Sequence, residues 1–371
     1  MKRVALSLGE EFRYQDELHQ KVTSVGTDQK RYPMMNCVRQ RLTSACLCLA
    51  AGLIYFSPFS WAAETTPICK KEIPAITFKN LSPPYTEYAY FQHHVRFPFQ
   101  HRASSFSLIN AWWLAEASTL VYADAAYVRR QFSAAGLRRV KFFSKVSTQC
   151  FIASNDQFAI VAFRGSEGWK LNEPFDLRRT LADWTTDFDI RLSDWFRGGR
   201  VHRGFKDALE EVWAEIFPHM KQLADQGCNI WLTGHSLGAA LAILAADRFQ
   251  DVQGVYTFGS PRVGDREFQE KFRLQAYRVV NGDDLVSRVP PAGTYRHVGE
   301  LKIIGRKGSL HEGLTAKAEN NAPCPDPSAT SGSLTENKKS DLSQLIPDSI
   351  RDHVPLLYAI FLWNHLVENQ N

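Results

Sequence analysis

The residues of this sequence best suited to chemistry are Gly234-His235-Ser236-Leu237-Gly238, a G-x-S-x-G pattern. At this glycine and serine content, chance alone puts such a pattern in about one chain in ten, so the bare match is weak evidence. Its context is stronger. Cys228-Asn229-Ile230-Trp231-Leu232-Thr233 reads as a short apolar strand, and an Ala/Leu-rich helix follows Ser236 to about Gln250. A strand, tight turn and helix in this order set a serine on a strained turn above a sheet. Glycines are needed there because side chains would collide with the strand and helix that crowd the turn. A serine hydroxyl is a poor nucleophile at neutral pH; it needs a base, and the base needs an orienting carboxylate. In folds of this type the chain order is serine, acid, histidine. Downstream, Asp283 and Asp284 follow a strand-like Ala276–Val280, and His297, His311, His353 and His365 come later. His353 stands at the start of an apolar helix with Pro355 in its first turn. Position alone does not choose among the four histidines.

The elements that must hold these groups can be read along the chain. A helix is predicted from about Ser105 to Ala123, where Phe106, Ile109, Trp113, Ala117, Leu120 and Val121 recur at three and four and Ser105 is a candidate cap. Cys150–Ala153 and Phe158–Phe163 read as strands joined by a hairpin at Ser154-Asn155-Asp156. An amphipathic helix covers about Phe205 to Ala224, interrupted at Pro218. Further strands are expected at Gly254–Phe258 and Leu301–Ile304, with a helix near Arg266–Phe272. Strands alternating with helices argue for an α/β fold with a mostly parallel central sheet and helices on both faces. Residues 316–343 are rich in Asn, Ser, Pro and Thr and read as a flexible surface insertion.

Composition bounds the function classes. With 44% hydrophobic and 22% charged residues in 371, the chain can bury a large core and is not a disordered polymer. Subtracting 39 acidic from 44 basic residues leaves +5 with no concentrated basic run, so a nucleic-acid partner is not expected. Neither an H-E-x-x-H nor paired C-x-x-C motifs occur, and neither a metal nor another cofactor is expected.

The N-terminal region reads as an address. Leu42 to Phe56 is an apolar run of fifteen residues behind Arg39 and Arg41, followed by Ser60-Trp61-Ala62. A basic start, a short apolar core and small residues before the break suit a signal peptide over 34–62, cleaved near Ala62; the alternative is an uncleaved membrane anchor. Residues 1–33 are polar, with six basic and five acidic groups, and Met34 and Met35 stand just before the basic start. They read as a non-structural leader or a mis-assigned start. The four cysteines beyond the signal, Cys69, Cys150, Cys228 and Cys324, are an even number and permit two disulfides or small buried thiols, as export would allow. Residues 63–104 form a Pro-rich lead-in to a catalytic domain over 105–371.

Seven blocks in order carry a family resemblance: Ala162-Phe163-Arg164-Gly165-Ser166, Asp183-Trp184-Thr185-Thr186-Asp187-Phe188, Val201-His202-Arg203-Gly204-Phe205, Thr233–Gly238, Thr257-Phe258-Gly259-Ser260-Pro261-Arg262-Val263-Gly264, Asp284 through Pro291, and Asp352-His353. Together they resemble the class 3 lipases, the family of fungal triacylglycerol lipases and their plant and bacterial relatives. The resemblance implies an α/β-hydrolase fold, with Ser236 as nucleophile, Asp284 as acid (Asp283 being its rival) and His353 as base. It implies an oxyanion hole from the backbone N–H groups of Leu237 and Ser166, and a lid at 167–182. His297, His202 and His235 fall inside family blocks without a proton-transfer role, and Arg164 reads as a structural ion-pair partner. His311 and His365 match no block and read as surface groups.

The chemistry so implied is two-step acyl transfer through an acyl-enzyme, with activity rising with pH as the base loses its proton. The expected partner is a lipid or ester substrate at a lipid–water interface, with transient membrane or micelle contact, and the protein is expected to be exported. Triacylglycerol hydrolysis leads; phospholipase A1 or a short-chain or feruloyl-type esterase would use the same triad. A catalytically silent lipid-binding module is the remote alternative.

Overall fold

The computed structural model describes residues 68–75, 77, 80, 82–165, 191–305, 308–315 and 347–370. Its frame is an eight-stranded sheet in the order β1-β2-β3-β6-β7-β8-β9-β10. The strands are β1 Arg139–Ser144, β2 Gln149–Ser154, β3 Phe158–Phe163, β6 Asn229–His235, β7 Gly254–Phe258, β8 Ala276–Asn281, β9 Glu300–Ile304 and β10 Leu310–Thr315. From β3 across to β9 every pairing is parallel, while β1–β2, β2–β3 and β9–β10 are antiparallel. This is the α/β-hydrolase fold, its mostly parallel sheet covered on both faces. A separate two-stranded ribbon pairs β4 Leu192–Asp194 with β5 Arg200–His202.

The central strands are apolar along their whole length because neither face meets water. In β3 all six residues are buried, and they divide by alternation. Ala159, Val161 and Phe163 enter one core, with α3 Arg203–Asp225 and α4 Leu237–Phe249. Phe158, Ile160 and Ala162 enter the other, with α1 Leu108–Leu120, α2 Ala125–Ala134 and α7 Pro355–Glu368. There are two further short helices, α5 Arg266–Lys271 and α6 Asp348–Arg351, and a 3₁₀ turn at Val286–Arg288.

Ser107, two residues after the candidate cap at Ser105, closes the N-terminus of α1, its Oγ accepting from Asn110 N at 3.1 Å. The second predicted helix runs unbroken through Pro218 as α3. The β2–β3 hairpin turns at Asn155, whose Oδ1 accepts from the N–H groups of Gln157 and Phe158.

The lead-in packs into the same core. Phe91, Phe97 and Phe99 are buried among Trp112, Trp113 and Trp363. The Asn364 side chain bonds both the N–H and the C=O of Lys71, at 2.7 and 2.9 Å. Beneath this lies Glu116, fully buried, which accepts from Trp112 Nε1 at 2.6 Å, Tyr88 Oη at 2.7 Å, Lys71 Nζ at 3.2 Å and the Phe91 backbone. Cys69, Cys150 and Cys228 are free thiols, and Cys324 lies outside the described residues.

Candidate functional site

Parallel strands bring their C-terminal ends to one edge of the sheet, where loops can converge. Gly165 follows β3, Ser236 follows β6, Gly259 follows β7 and Asp284 follows β8, all at that edge. Ser236 has φ 59° and ψ −128°, left-handed for a residue with a side chain and a cost of about 1–3 kcal/mol held by its surroundings. Those surroundings are tight. A Cβ on Gly234 would lie 2.3 Å from the Gly238 carbonyl, and one on Gly238 would lie 2.1 Å from the Phe163 carbonyl oxygen. Only glycine lets strand, turn and helix approach this closely.

Ser236 occupies the N-cap position of α4, where a serine usually caps the first turn. Its side chain makes no such bond. Its Oγ lies 3.0 Å from His353 Nε2 instead. The Leu237 N–H belongs to the group of helix-terminal donors that have no intrahelical acceptor, at the positive end of the helix dipole.

His353 comes from the loop between α6 and α7, and three bonds fix that loop to the strand ends. Asn281 Nδ2 donates to Asp352 O at 3.0 Å, the Asp283 N–H donates to Asp352 Oδ2 at 2.9 Å, and His235 Nε2 meets His353 O at 2.7 Å. His353 Nδ1 stands 2.8 Å from Asp284 Oδ2. That same oxygen accepts from Tyr358 Oη at 2.5 Å, and Asp284 Oδ1 accepts from the Val286 N–H at 2.8 Å. Asp284 is fully buried. Burial alone would raise its pKa, but the charge and hydrogen bond of His353, the Tyr358 hydroxyl and His235 outweigh it and hold the carboxyl below its ordinary value.

Of the residues singled out in the sequence, the structure thus brings Ser236, His353 and Asp284 into one hydrogen-bonded line, with Leu237 beside it. Asp283 points away and pairs with Arg288 at 3.1 Å. Ser166 and the segment 167–182 lie outside the described residues. His297 is buried against the Ser287 carbonyl at 2.8 Å, and His202 caps α3 through Phe205 N. His311 bonds Ser309, and His365 faces Glu368 at 3.9 Å. Arg164 reaches Gln149 and lies over the Tyr122 ring, 5.6 Å from its centroid. Sequence reading missed Tyr358, Asn281 and Tyr122. A tyrosine one turn into an apolar helix looks like core packing, and only the register of α7 against β8 shows its hydroxyl reaching the carboxylate.

A mostly parallel sheet with a serine on a strained strand-to-helix turn, lined up with histidine and aspartate, defines the α/β-hydrolase class. Residues 160–294 match the model of the lipase (class 3) family. The chain is 40% identical over 130 residues to the secreted mono- and diacylglycerol lipase 1 of Fusarium solani, covering 32% of this chain and 38% of that one. It is 28% identical over 192 residues to phospholipase A1-II 3 of Oryza sativa subsp. indica, covering 40% and 43%. The solved triacylglyceride lipase of Rhizomucor miehei superposes with a TM-score of 0.44 at 22% identity, covering 66% of this chain and 94% of that one. The chain spans less than half the length of these two curated relatives.

Proposed function

We propose that this protein is a serine hydrolase of lipid carboxylic esters. The carrying observation is the unbroken line from Ser236 Oγ through His353 (3.0 Å to Nε2, then Nδ1 at 2.8 Å) to Asp284. In this reading His353 takes the proton of Ser236 as Oγ attacks the ester carbonyl. Asp284 holds the ring with Nδ1 protonated and Nε2 free to accept, and it stabilises the imidazolium that forms. The alkoxide of the tetrahedral intermediate is received by the Leu237 N–H and, by the sequence resemblance, the Ser166 N–H. His353 then protonates the leaving alcohol, and water repeats the cycle on the acyl-enzyme. The family match and the lipase names of the relatives support a lipid substrate met at a lipid–water interface. Export is supported by the apolar segment Leu42 to Phe56 and by the secreted relative.

The test is hydrolysis of p-nitrophenyl esters from two to sixteen carbons, wild type beside Ser236→Ala. The variant should lose roughly 10⁴–10⁶ in rate, with wild-type activity highest on long chains. Equal inertness of both proteins on every ester would refute the reading. The resemblance to a phospholipase A1 favours one further reading, and release of the sn-1 fatty acid from phosphatidylcholine vesicles in preference to triolein emulsion would select it.

A further inference from the structure

His235, the last residue of β6, is buried and takes no place in the proton path just described. Both of its ring nitrogens are engaged. Nε2 meets the His353 carbonyl oxygen at 2.7 Å, and a carbonyl can only accept, so Nε2 carries the proton. In the neutral ring Nδ1 is then an acceptor, and the Tyr122 hydroxyl stands 3.3 Å from it. The Tyr122 oxygen also lies against Gly165, two residues past the end of β3. Contact there is close: a Cβ on Gly165 would lie 2.2 Å from Tyr122 Oη and 3.3 Å from Ser236 Cβ. The result is a directed chain in which Tyr122, packed against Gly165, donates its O–H to His235, and the His235 N–H donates to the His353 backbone. Burial, followed by the charge of His353, holds the His235 pKa well below the ordinary imidazole value, so the ring stays in the state this chain needs.

We infer that His235 and Tyr122 together form a positioning bridge that sets the backbone of the base, His353, and the backbone at Gly165 relative to Ser236. The inference rests on the reading of Ser236 as nucleophile and His353 as base. Each end of the bridge holds a loop from a different part of the chain. No bond along it touches the proton being moved. Its contribution is geometric: misplacement by a fraction of an ångström between base and nucleophile lowers the rate of the chemical step without changing how substrate is held.

The experiment measures kcat and KM per active site, with sites counted by burst titration with a serine-directed alkyl phosphonate, for wild type, Tyr122→Phe, His235→Gln and the double variant. Gln keeps a donor for the His353 carbonyl but not the ring acceptor for Tyr122. Each single variant should lower kcat per titrated site by between about tenfold and a hundredfold with KM within about twofold. The double variant should be no slower than the slower single, because either change breaks the same chain. Loss of fold alone would reduce the number of titratable sites and leave kcat per site unchanged. Single variants within twofold of wild type per site, or costs that multiply in the double, overturn the bridge while leaving the hydrolase reading intact. A wild type that neither takes up the phosphonate nor hydrolyses any ester overturns both.

Discussion

Tyr358 and His353 share one oxygen of Asp284: Oδ2 accepts from the tyrosine hydroxyl at 2.5 Å and faces the imidazole Nδ1 at 2.8 Å. Tyr358 Oη also accepts from the Asn281 N–H at 3.1 Å, so the hydroxyl joins the end of β8 to the carboxylate that β8 delivers. All of these groups are buried. Tyr358→Phe should therefore leave a buried N–H without its acceptor and the carboxylate one donor short, destabilising the fold by about 1–3 kcal/mol. Because the hydroxyl is one of the groups holding the Asp284 carboxyl down against burial, the variant's carboxyl should titrate higher than in the wild type. Urea unfolding of the two proteins at pH 7 checks the first claim. Stability equal to wild type would count against it.

Asp283 and Asp284 are neighbours in sequence with opposite surroundings, one paired with Arg288 at the surface and the other buried against His353. Asp284→Asn should lower kcat by roughly 10³–10⁴, since an amide can no longer hold the imidazole in the accepting tautomer. Asp283→Asn should stay within about twofold, as expected when an exposed ion pair worth at most about 1 kcal/mol is lost. Steady-state kinetics on one chromogenic ester compares them directly, and a reversed order would reassign the acid.

Much of the Ser236 turn is legible because its geometry forces its sequence. The glycines of Gly234–Gly238 are required by close approach, and the apolar runs of β3, β6 and β7 are required by burial on both faces. Elements at the margin left weaker traces. Arg139–Ser144 is an edge strand that alternates polar and apolar only over Arg139-Val140-Lys141-Phe142, and a run of four residues with half-exposed apolar positions is a weak signal. β4 and β5 are three residues each, too short for a period to register. α2 carries a usable signal that was passed over, Asp124 ahead of Ala125-Ala126-Tyr127-Val128, and the Asp124 carboxylate does accept from the N–H groups of Ala126 and Tyr127. The histidines were the hardest case. Four stand after Asp284, and only the fold, by tying the Asp352-His353 loop to Asn281, Asp283 and His235, brings one of them to the serine.

Gly259 lies against the hydrogen-bonded Asp284–His353 pair, with φ +56°. A Cβ there would fall 2.6 Å from Asp284 Oδ2 and 2.9 Å from His353 Nδ1. The backbone cannot yield easily, since Gly259 N donates to Val279 O within the strand ends at 3.1 Å. Gly259→Ala should push the two side chains apart and lower kcat by about a hundredfold or more, the scale expected for a displacement near 1 Å. Activity within a few-fold of wild type would mean that the pair tolerates displacement, contrary to this geometry.

Glu116 is a charge with no access to water, and four donors from three parts of the chain converge on it. Removing one member of a buried, hydrogen-bonded charge pair costs about 3–5 kcal/mol, because the remaining groups stay desolvated. Glu116→Ala should fall in that range by urea unfolding. Lys71→Met should cost less, since the lysine head lies nearer the surface, at 13% side-chain exposure against 0% for the glutamate. None of the four donors to Glu116 bonds Ser236, His353 or Asp284, so kcat per titrated site should not change in either variant. A larger loss for Lys71→Met would reverse this account of which partner carries the desolvation.

His235 and His297 are both buried as neutral rings, and both titrate well below the ordinary histidine. For His235 the causes are burial and then His353; for His297 they are burial and then Arg278 and Arg262. The sign of the linkage follows. Below about pH 6.5 the unfolded chain binds protons on these rings and the folded chain does not, so stability falls as pH falls. Asp284, whose carboxyl is also depressed in the fold, contributes only lower down: its share is present above about pH 3.9 and is lost as pH drops through its folded value. Between pH 7.5 and 5.5 the histidines therefore act without it. Each should lower the stability over that interval, by at most on the order of 1 kcal/mol. His297→Gln can keep the bond to the Ser287 carbonyl while losing the titration. Its unfolding free energy should therefore fall less than that of the wild type between the two pH values, by on the order of 1 kcal/mol, measured in urea at constant ionic strength. Parallel losses in the two proteins would show that His297 accepts its proton in the folded state after all.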